Sequence, residues 1–268
     1  KTMKSLNCKK CRNCNEENNF YELFSLGKLS YTGKFPKNEN IDIPKSEIKL
    51  VICENCKLVQ VSKEFDLNYM YDDNYGYRTG INHTMKSHVK SIVNELSLKK
   101  NFLSKGDHVL DIASNDATLL NSYSKNLTRV GIDPTINKYR KFYKNIDFKI
   151  SNFFSKKRLI NVIKNNKFKT ITALAVFYDL KNPNQFLKEI SEIIDEKKGI
   201  FILEFQDLLS IIKNNLFDTI CHEHLGYYST KIIFKMVKKN NLKILDIKKK
   251  SNKWWKYSIL YLPQRCKL

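Results

Sequence analysis

The sequence predicts an α/β protein in which a parallel sheet carries helices on both faces and follows a small cysteine-bearing module. Two observations carry this. From Asp107 onward, short apolar runs alternate with amphipathic stretches, the strand, helix, strand order of a parallel sheet. Ahead of them, Cys11-Arg-Asn-Cys14 and Cys53-Glu-Asn-Cys56 repeat one spacing. At 268 residues, 42% of them hydrophobic, the chain can bury one full α/β core and a satellite module.

Residues 1–66 form the predicted module. No leader-like or membrane-spanning apolar run is visible, so a cytoplasmic chain with reduced thiols is expected, and disulfides are not. Two Cys-x-x-Cys knuckles then place four thiolates around one tetrahedral zinc ion. The expected ligands are Cys11, Cys14, Cys53 and Cys56, with Cys8 able to replace Cys14. Such a closed site keeps no position for water, so its role is structural. Between the knuckles, Leu26-Gly27-Lys28 and Pro36 are turn chemistry suited to a zinc-ribbon-like β module.

Residues 67–104 connect the two parts. Tyr69 to Arg78 carries four tyrosines among polar groups, suited either to packing or to lining a substrate cleft. A helix is predicted from about Asn82 to Leu98, with Met85, His88, Val89, Ile92 and Leu96 on one stripe.

Residues 105–250 hold the sheet. Its strands are predicted at 109–113, 129–133, 148–150, 170–174 and 200–204. A helix starts at Asn182, a cap, followed by Pro183 in the first turn, with Phe186, Leu187, Ile190 and Ile194 on one face. Ligands of such sheets bind beyond the carboxyl ends of the strands, where the first strand turns into its helix. Here that turn begins at Asp111-Ile-Ala-Ser-Asn-Asp-Ala117, and Asp133 closes the second strand with a carboxylate placed to accept both hydroxyls of a ribose. Without Gly-x-Gly-x-x-Gly, an adenosine cofactor points to S-adenosylmethionine rather than a dinucleotide. The candidate cofactor contacts are Asp111, Ala113, Ser114, Asn115 and Asp133, with Asn152 and Phe153 after the third strand.

The formal charge of +21 raises the possibility of a nucleic-acid partner. The lysines are scattered through every segment and mixed with Asn and Ile, which fits solvated faces under a compositional bias. Neither a nucleic acid nor a membrane is the expected partner.

Taken in order, Cys11-Arg-Asn-Cys14, Cys53-x-x-Cys56, Asn74-Tyr-Gly-Tyr-Arg-Thr-Gly80, the segment Asp111 to Ala117, Gly131-Ile-Asp-Pro134 and Phe217-Asp-Thr-Ile-Cys-His-Glu-His-Leu-Gly-Tyr227 resemble the sugar C-methyltransferases that act on nucleotide-linked 4-keto-6-deoxyhexoses. The likeness runs from about Cys11 to Ile247. It implies a Rossmann-like class I methyltransferase sheet that binds S-adenosylmethionine, with His222, Glu223, His224, Tyr75 and Tyr77 around a nucleotide-linked sugar. His224 would remove a proton next to the ketone, Glu223 would orient the imidazole or a substrate hydroxyl, and a tyrosine hydroxyl would meet the enolate. Other readings are methylation of a sugar hydroxyl on the same fold, or a non-catalytic zinc-ribbon protein that binds nucleic acid. The chain departs from the family at Ala113 and Ala117, where glycines are usual, at Cys221, where a tyrosine stands in the well-studied branch, and in Ala175-Val-Phe-Tyr-Asp-Leu180, where a histidine is lost. Tyr178 and Asp179 are the polar groups available to replace it.

Beyond Lys250 the resemblance stops. Lys253-Trp-Trp-Lys-Tyr257, written AAA TGG TGG AAG TAT, reads Asn-Gly-Gly-Ser one base later, a turn that the family carries at this place. Residues 251–268 are therefore expected to be out-of-frame translation that replaces a further substrate-side domain. A divergent tail forming a last strand is the alternative.

Overall fold

The computed structural model describes residues 6–7, 10–33, 36, 38–71, 75–164, 167–251 and 256–262. Cys8, Asn74 and tail residues 252–255 and 263–268 lie outside them. The cysteine module is an antiparallel sheet of β1 (Phe20–Ser30), β2 (Lys45–Cys53) and β3 (Val59–Val61), and Gly226–Tyr227 from the far end of the chain forms its fourth strand. Gly226 pairs with Gln60 and Tyr227 with Val59, while the Val61 N–H donates to the Leu225 carbonyl at 3.1 Å. A boundary at residue 66 therefore divides a sheet whose edge strand belongs to the other half.

Helix α1 (His83–Leu98) starts as expected, with the Asn82 side chain accepting from the Met85 N–H. The main sheet contains β4 (His108–Ile112), β5 (Thr128–Ile132), β6 (Phe148–Ile150), β7 (Thr170–Leu174), β8 (Ile200–Gln206), β9 (Asp246–Ser251) and β10 (Lys256–Leu262). Their order is β9-β10-β8-β7-β4-β5-β6. The five strands from β8 to β6 are parallel, and β10 runs antiparallel to both of its neighbours. The segment expected to be out of frame thus supplies a strand between β8 and β9, as its aromatic and aliphatic run Tyr-Ser-Ile-Leu-Tyr-Leu favours.

Alternation along the strands builds two cores. Leu110, Ile112, Val130, Ile132 and Leu203 pack with helices α2 (Lys156–Ile163), α3 (Pro183–Ile193) and α4 (Thr230–Lys239) through Leu159, Ile163, Phe186, Leu187, Ile232 and Ile233. Val109, Ile200 and Ile202 pack with Val89, Ile92, Val93 and Leu96 of α1. Cys11, Cys53 and Leu58 join the first core, so the cysteine module sits on the sheet rather than beside it.

Three local expectations change. The crossover after β4 holds only a 3₁₀ turn, Leu120–Ser122, and the one after β5 only Arg140–Tyr143. Ala113, Asn115 and Ala117 take φ values of 59°, 47° and 60°, and left-handed residues at every second position cannot run into a right-handed helix. Asn182 occupies the cap position of α3 but makes no side-chain cap bond. Among the described residues, no helix is long and apolar enough to cross a membrane.

Candidate active site

The carboxyl ends of β4, β5, β7 and β8 open into a cavity of about 1030 Å³. Its wall includes every candidate cofactor residue, namely Asp111, Ala113, Ser114, Asn115, Asp133, Asn152 and Phe153, together with Tyr75, Tyr77, Glu223 and His224. His222 is not part of it.

Asp111 stands one residue before the end of β4, its Oδ1 accepts from the Thr172 hydroxyl at 2.6 Å, and burial pushes its carboxyl up to about 7. Asp133 follows β5. Its Oδ1 accepts from the Thr135 N–H at 2.6 Å and the Thr135 hydroxyl at 2.5 Å, and its Oδ2 accepts from the Asn115 N–H at 2.9 Å. Burial raises its pKa, and these three donors pull it back. A carboxylate offers about four acceptor positions. Three are taken in this arrangement, one of them by the rotatable Thr135 hydroxyl, and one on Oδ2 is left for a ligand. Next to it, Ser114 donates to Tyr143, whose own hydroxyl donates to the Asn115 carbonyl, both at 2.8 Å.

The two histidines have separate environments although they stand two residues apart. His224 donates from Nδ1 to the Thr219 carbonyl at 2.6 Å, so its Nε2 carries the free lone pair. The ring packs at 4.3 Å from that of Tyr178, and burial lowers its pKa, which keeps it neutral. His222 is fully buried: its Nε2 donates to the Ser46 carbonyl at 3.1 Å, between the rings of Tyr31 and Phe65. The expected catalytic role of His222 gives way to a packing role, because the chain bends at residues 221–223: two residues apart, which a strand would put on one face, His222 enters the module core while His224 faces the cavity.

Of the two roles expected for Glu223, orienting the imidazole falls instead to the Thr219 carbonyl, which leaves the substrate hydroxyl. Glu223 accepts from the Thr32 hydroxyl in the turn after β1. Gly33 beside it takes φ +72°, and a Cβ there would stand 2.7 Å from Glu223 Oε1. The rings of Tyr71 and Tyr75 pack at 4.9 Å, tilted by 53°, and the Tyr71 hydroxyl donates to Asp179 Oδ2 at 3.0 Å. Asp179 Oδ1 is buried without a partner, and burial holds this carboxyl well above its ordinary range. Burial likewise raises Tyr75, Tyr77 and Cys221. Glu204, from β8, lines the same cavity and meets His88 Nε2 at 2.6 Å. Sequence reasoning placed Glu204 in a strand and His88 on an apolar stripe, and no local signal joins them.

The four expected ligands Cys11, Cys14, Cys53 and Cys56 come together with all sulfurs within 4.8 Å of one another. The Cys11 and Cys56 sulfurs are 3.4 Å apart and those of Cys14 and Cys53 3.6 Å. Both knuckles use one turn: the Asn15 N–H donates to the Cys11 carbonyl, the Lys57 N–H to the Cys53 carbonyl, and Asn15 and Lys57 each take φ 63°. The cluster could hold a metal ion and so make the N-terminal part a small metal-binding module.

A family model described as a methyltransferase domain matches residues 81–247. The C-methyltransferase NovU of Streptomyces niveus is 21% identical over 241 residues, 88% of this chain and 56% of that protein. The chain thus spans about half the length of this curated relative. An S-adenosylmethionine-dependent methyltransferase of Clostridium acetobutylicum superposes with TM-score 0.52 at 13% identity, over 67% of this chain and 92% of that one. The magnesium protoporphyrin IX methyltransferase of Synechocystis, solved with bound SAH, superposes with TM-score 0.50 at 16% identity, over 71% and 91%. These likenesses show a Rossmann-like α/β methyltransferase fold, and the match over more than half of its length shows that the chain belongs to the methyltransferase domain family.

Proposed function

We propose that this chain is an S-adenosylmethionine-dependent methyltransferase that adds a carbon-bound methyl group to a nucleotide-linked 4-keto deoxysugar, with structural Zn²⁺ on Cys11, Cys14, Cys53 and Cys56. One observation carries the reading: a single cavity joins Asp111 and Asp133 to the unprotonated Nε2 side of His224.

The loop from Asp111 to Asn115 and the remaining acceptor position of Asp133 would hold S-adenosylmethionine, with Asn152 and Phe153 beside them. Its sulfonium supplies an electrophilic methyl group that needs mainly positioning. The proton chemistry belongs to this chain. His224 Nε2 takes the proton next to the ketone, and its neutral state at pH 7 suits that task. Tyr75 and Tyr77, whose raised pKa values keep their hydroxyls protonated, are donors for the enolate oxygen. Glu223, fixed by Thr32, is free of the imidazole and is the group for a sugar hydroxyl. The zinc reading rests on the donor set: sulfurs bound to one tetrahedral zinc at about 2.3 Å lie about 3.8 Å apart, close to the spacing here.

Methylation of a sugar hydroxyl is the second reading, favoured by Cys221, a poor hydrogen-bond donor where the resembling family has a tyrosine. A nucleic-acid role has only the +21 charge behind it and leaves the cavity without a use.

The test incubates the chain with methyl-labelled S-adenosylmethionine and a panel of nucleotide 4-ketosugars, then locates the label by NMR. Label on carbon is expected. Label on oxygen would replace this reading by the second, and binding of S-adenosylhomocysteine without transfer to any member of the panel would discard the sugar.

A further inference from the structure

Asn115 touches both parts of the cavity through different atoms. Its main-chain N–H donates to Asp133 Oδ2 at 2.9 Å. Its side chain reaches the other way, where Oδ1 accepts from the Thr79 N–H at 2.9 Å and Nδ2 donates to the Tyr77 carbonyl at 3.3 Å. The neighbouring Asp116 repeats the pattern, accepting from the Gly80 N–H at 3.0 Å, and the Tyr139 hydroxyl donates to the Tyr77 carbonyl at 2.8 Å. The backbone of the tyrosine loop from 77 to 80 is therefore held by the loop that follows β4 and by Tyr139.

Asn115 achieves this at φ +47°, a conformation Asn tolerates better than most residues. The left-handed turn aims the amide N–H at Asp133 while the side-chain fork faces the tyrosine loop. Tyr77 and Thr79 line the same cavity as Asp133, so Asn115 ties the two parts of its wall through one residue.

We propose that Asn115 is a positioning residue that couples occupancy of the Asp133 end of the cavity to the placement of Tyr77 and Thr79, so that cofactor and sugar bind with positive cooperativity. This rests on the cofactor reading above. By linkage the coupling is reciprocal, and it is expected at roughly 5-fold to 150-fold in affinity.

Asn115→Gly isolates the fork, because glycine adopts the left-handed turn freely and keeps the N–H to Asp133. Two measurements on the whole chain decide the matter. Hydrogen exchange at the Thr79 and Gly80 amides should slow when S-adenosylhomocysteine is added to wild type, and the Thr79 amide, whose acceptor is gone, should not respond in Asn115→Gly. Calorimetry should show S-adenosylhomocysteine and the nucleotide 4-ketosugar of the transfer panel that binds most tightly each tightening the other in wild type, with that factor falling to about one in the variant whatever its affinity for S-adenosylhomocysteine alone. If S-adenosylhomocysteine binds wild type and leaves both amides unprotected, or if Asn115→Gly keeps the full factor, the coupling role is wrong and the cofactor reading stands. If S-adenosylhomocysteine fails to bind wild type, the cofactor reading falls and takes this inference with it.

Discussion

The hydroxyl of Thr32 donates to the carboxylate of Glu223 across 191 residues of sequence. That bond, with the pairing of Gly226 to Gln60, fastens the segment bearing His224 to the cysteine module. Through Thr32 and Gly33 the module is therefore part of the wall of the cavity as well as a neighbour of it.

Metal removal should loosen that wall. The chain is expected to carry about one zinc, and chelation should lower its unfolding free energy by about 4 kcal/mol when zinc was present at about a thousand times its Kd. Hydrogen exchange at Val61, whose N–H meets the Leu225 carbonyl, should rise with it. A metal-free protein with unchanged melting and unchanged exchange there would refute a structural ion.

His222 and His224 should separate by readout. His224→Ala should slow solvent-deuterium exchange next to the substrate ketone by about 100-fold to 10,000-fold with little change in melting. His222→Ala should cost about 2 to 4 kcal/mol in urea unfolding, since it empties a packed site and orphans the Ser46 carbonyl. The opposite pairing of effects would exchange their roles.

Acidity acts on the two kinds of buried group with opposite sign. His222 and His224 have native pKa values below 6.5, so between those values and 6.5 the unfolded chain binds more protons and stability falls as pH falls. Asp111, pushed from 3.8 to about 7, binds more protons when folded, so its contribution is lost as pH rises from 3.8 to about 7. Relative to Asp111→Asn, wild type should lose at most about 4 kcal/mol across that window. Denaturation curves for the pair at pH 4 and pH 8 that run parallel would show that Asp111 is not perturbed.

Asp133→Ala should weaken binding of S-adenosylhomocysteine by roughly 1 to 3 kcal/mol, the scale for bonds to a charged group. Calorimetric affinity equal to wild type would remove Asp133 from the cofactor site.

Ala113 holds φ 59° at the cavity wall, where an L side chain costs roughly 1 to 2 kcal/mol. Ala113→Gly should therefore be neutral to stabilising by up to about 1 kcal/mol, after the added freedom of the unfolded chain is offset. Ala117, at φ 60° but fully buried, should gain less because its methyl group is packed. A loss above about 1 kcal/mol at Ala113 would mean that its methyl group is needed.

The sequence by itself determined the parallel strands, the α1 stripe, the two cysteine knuckles and the carboxylates Asp111 and Asp133, because each is a local pattern of period, spacing or strand end. It also named His224, through an eleven-residue motif. Tertiary structure alone decided which histidine faces the cavity, that Glu223 belongs to Thr32, that Asp179 is held by Tyr71, and that His88 reaches Glu204. The physical reason is range. Periodicity shows that a residue is buried but not what it meets, and the partners of these groups come from strands and loops more than a hundred residues away that approach only in the folded chain.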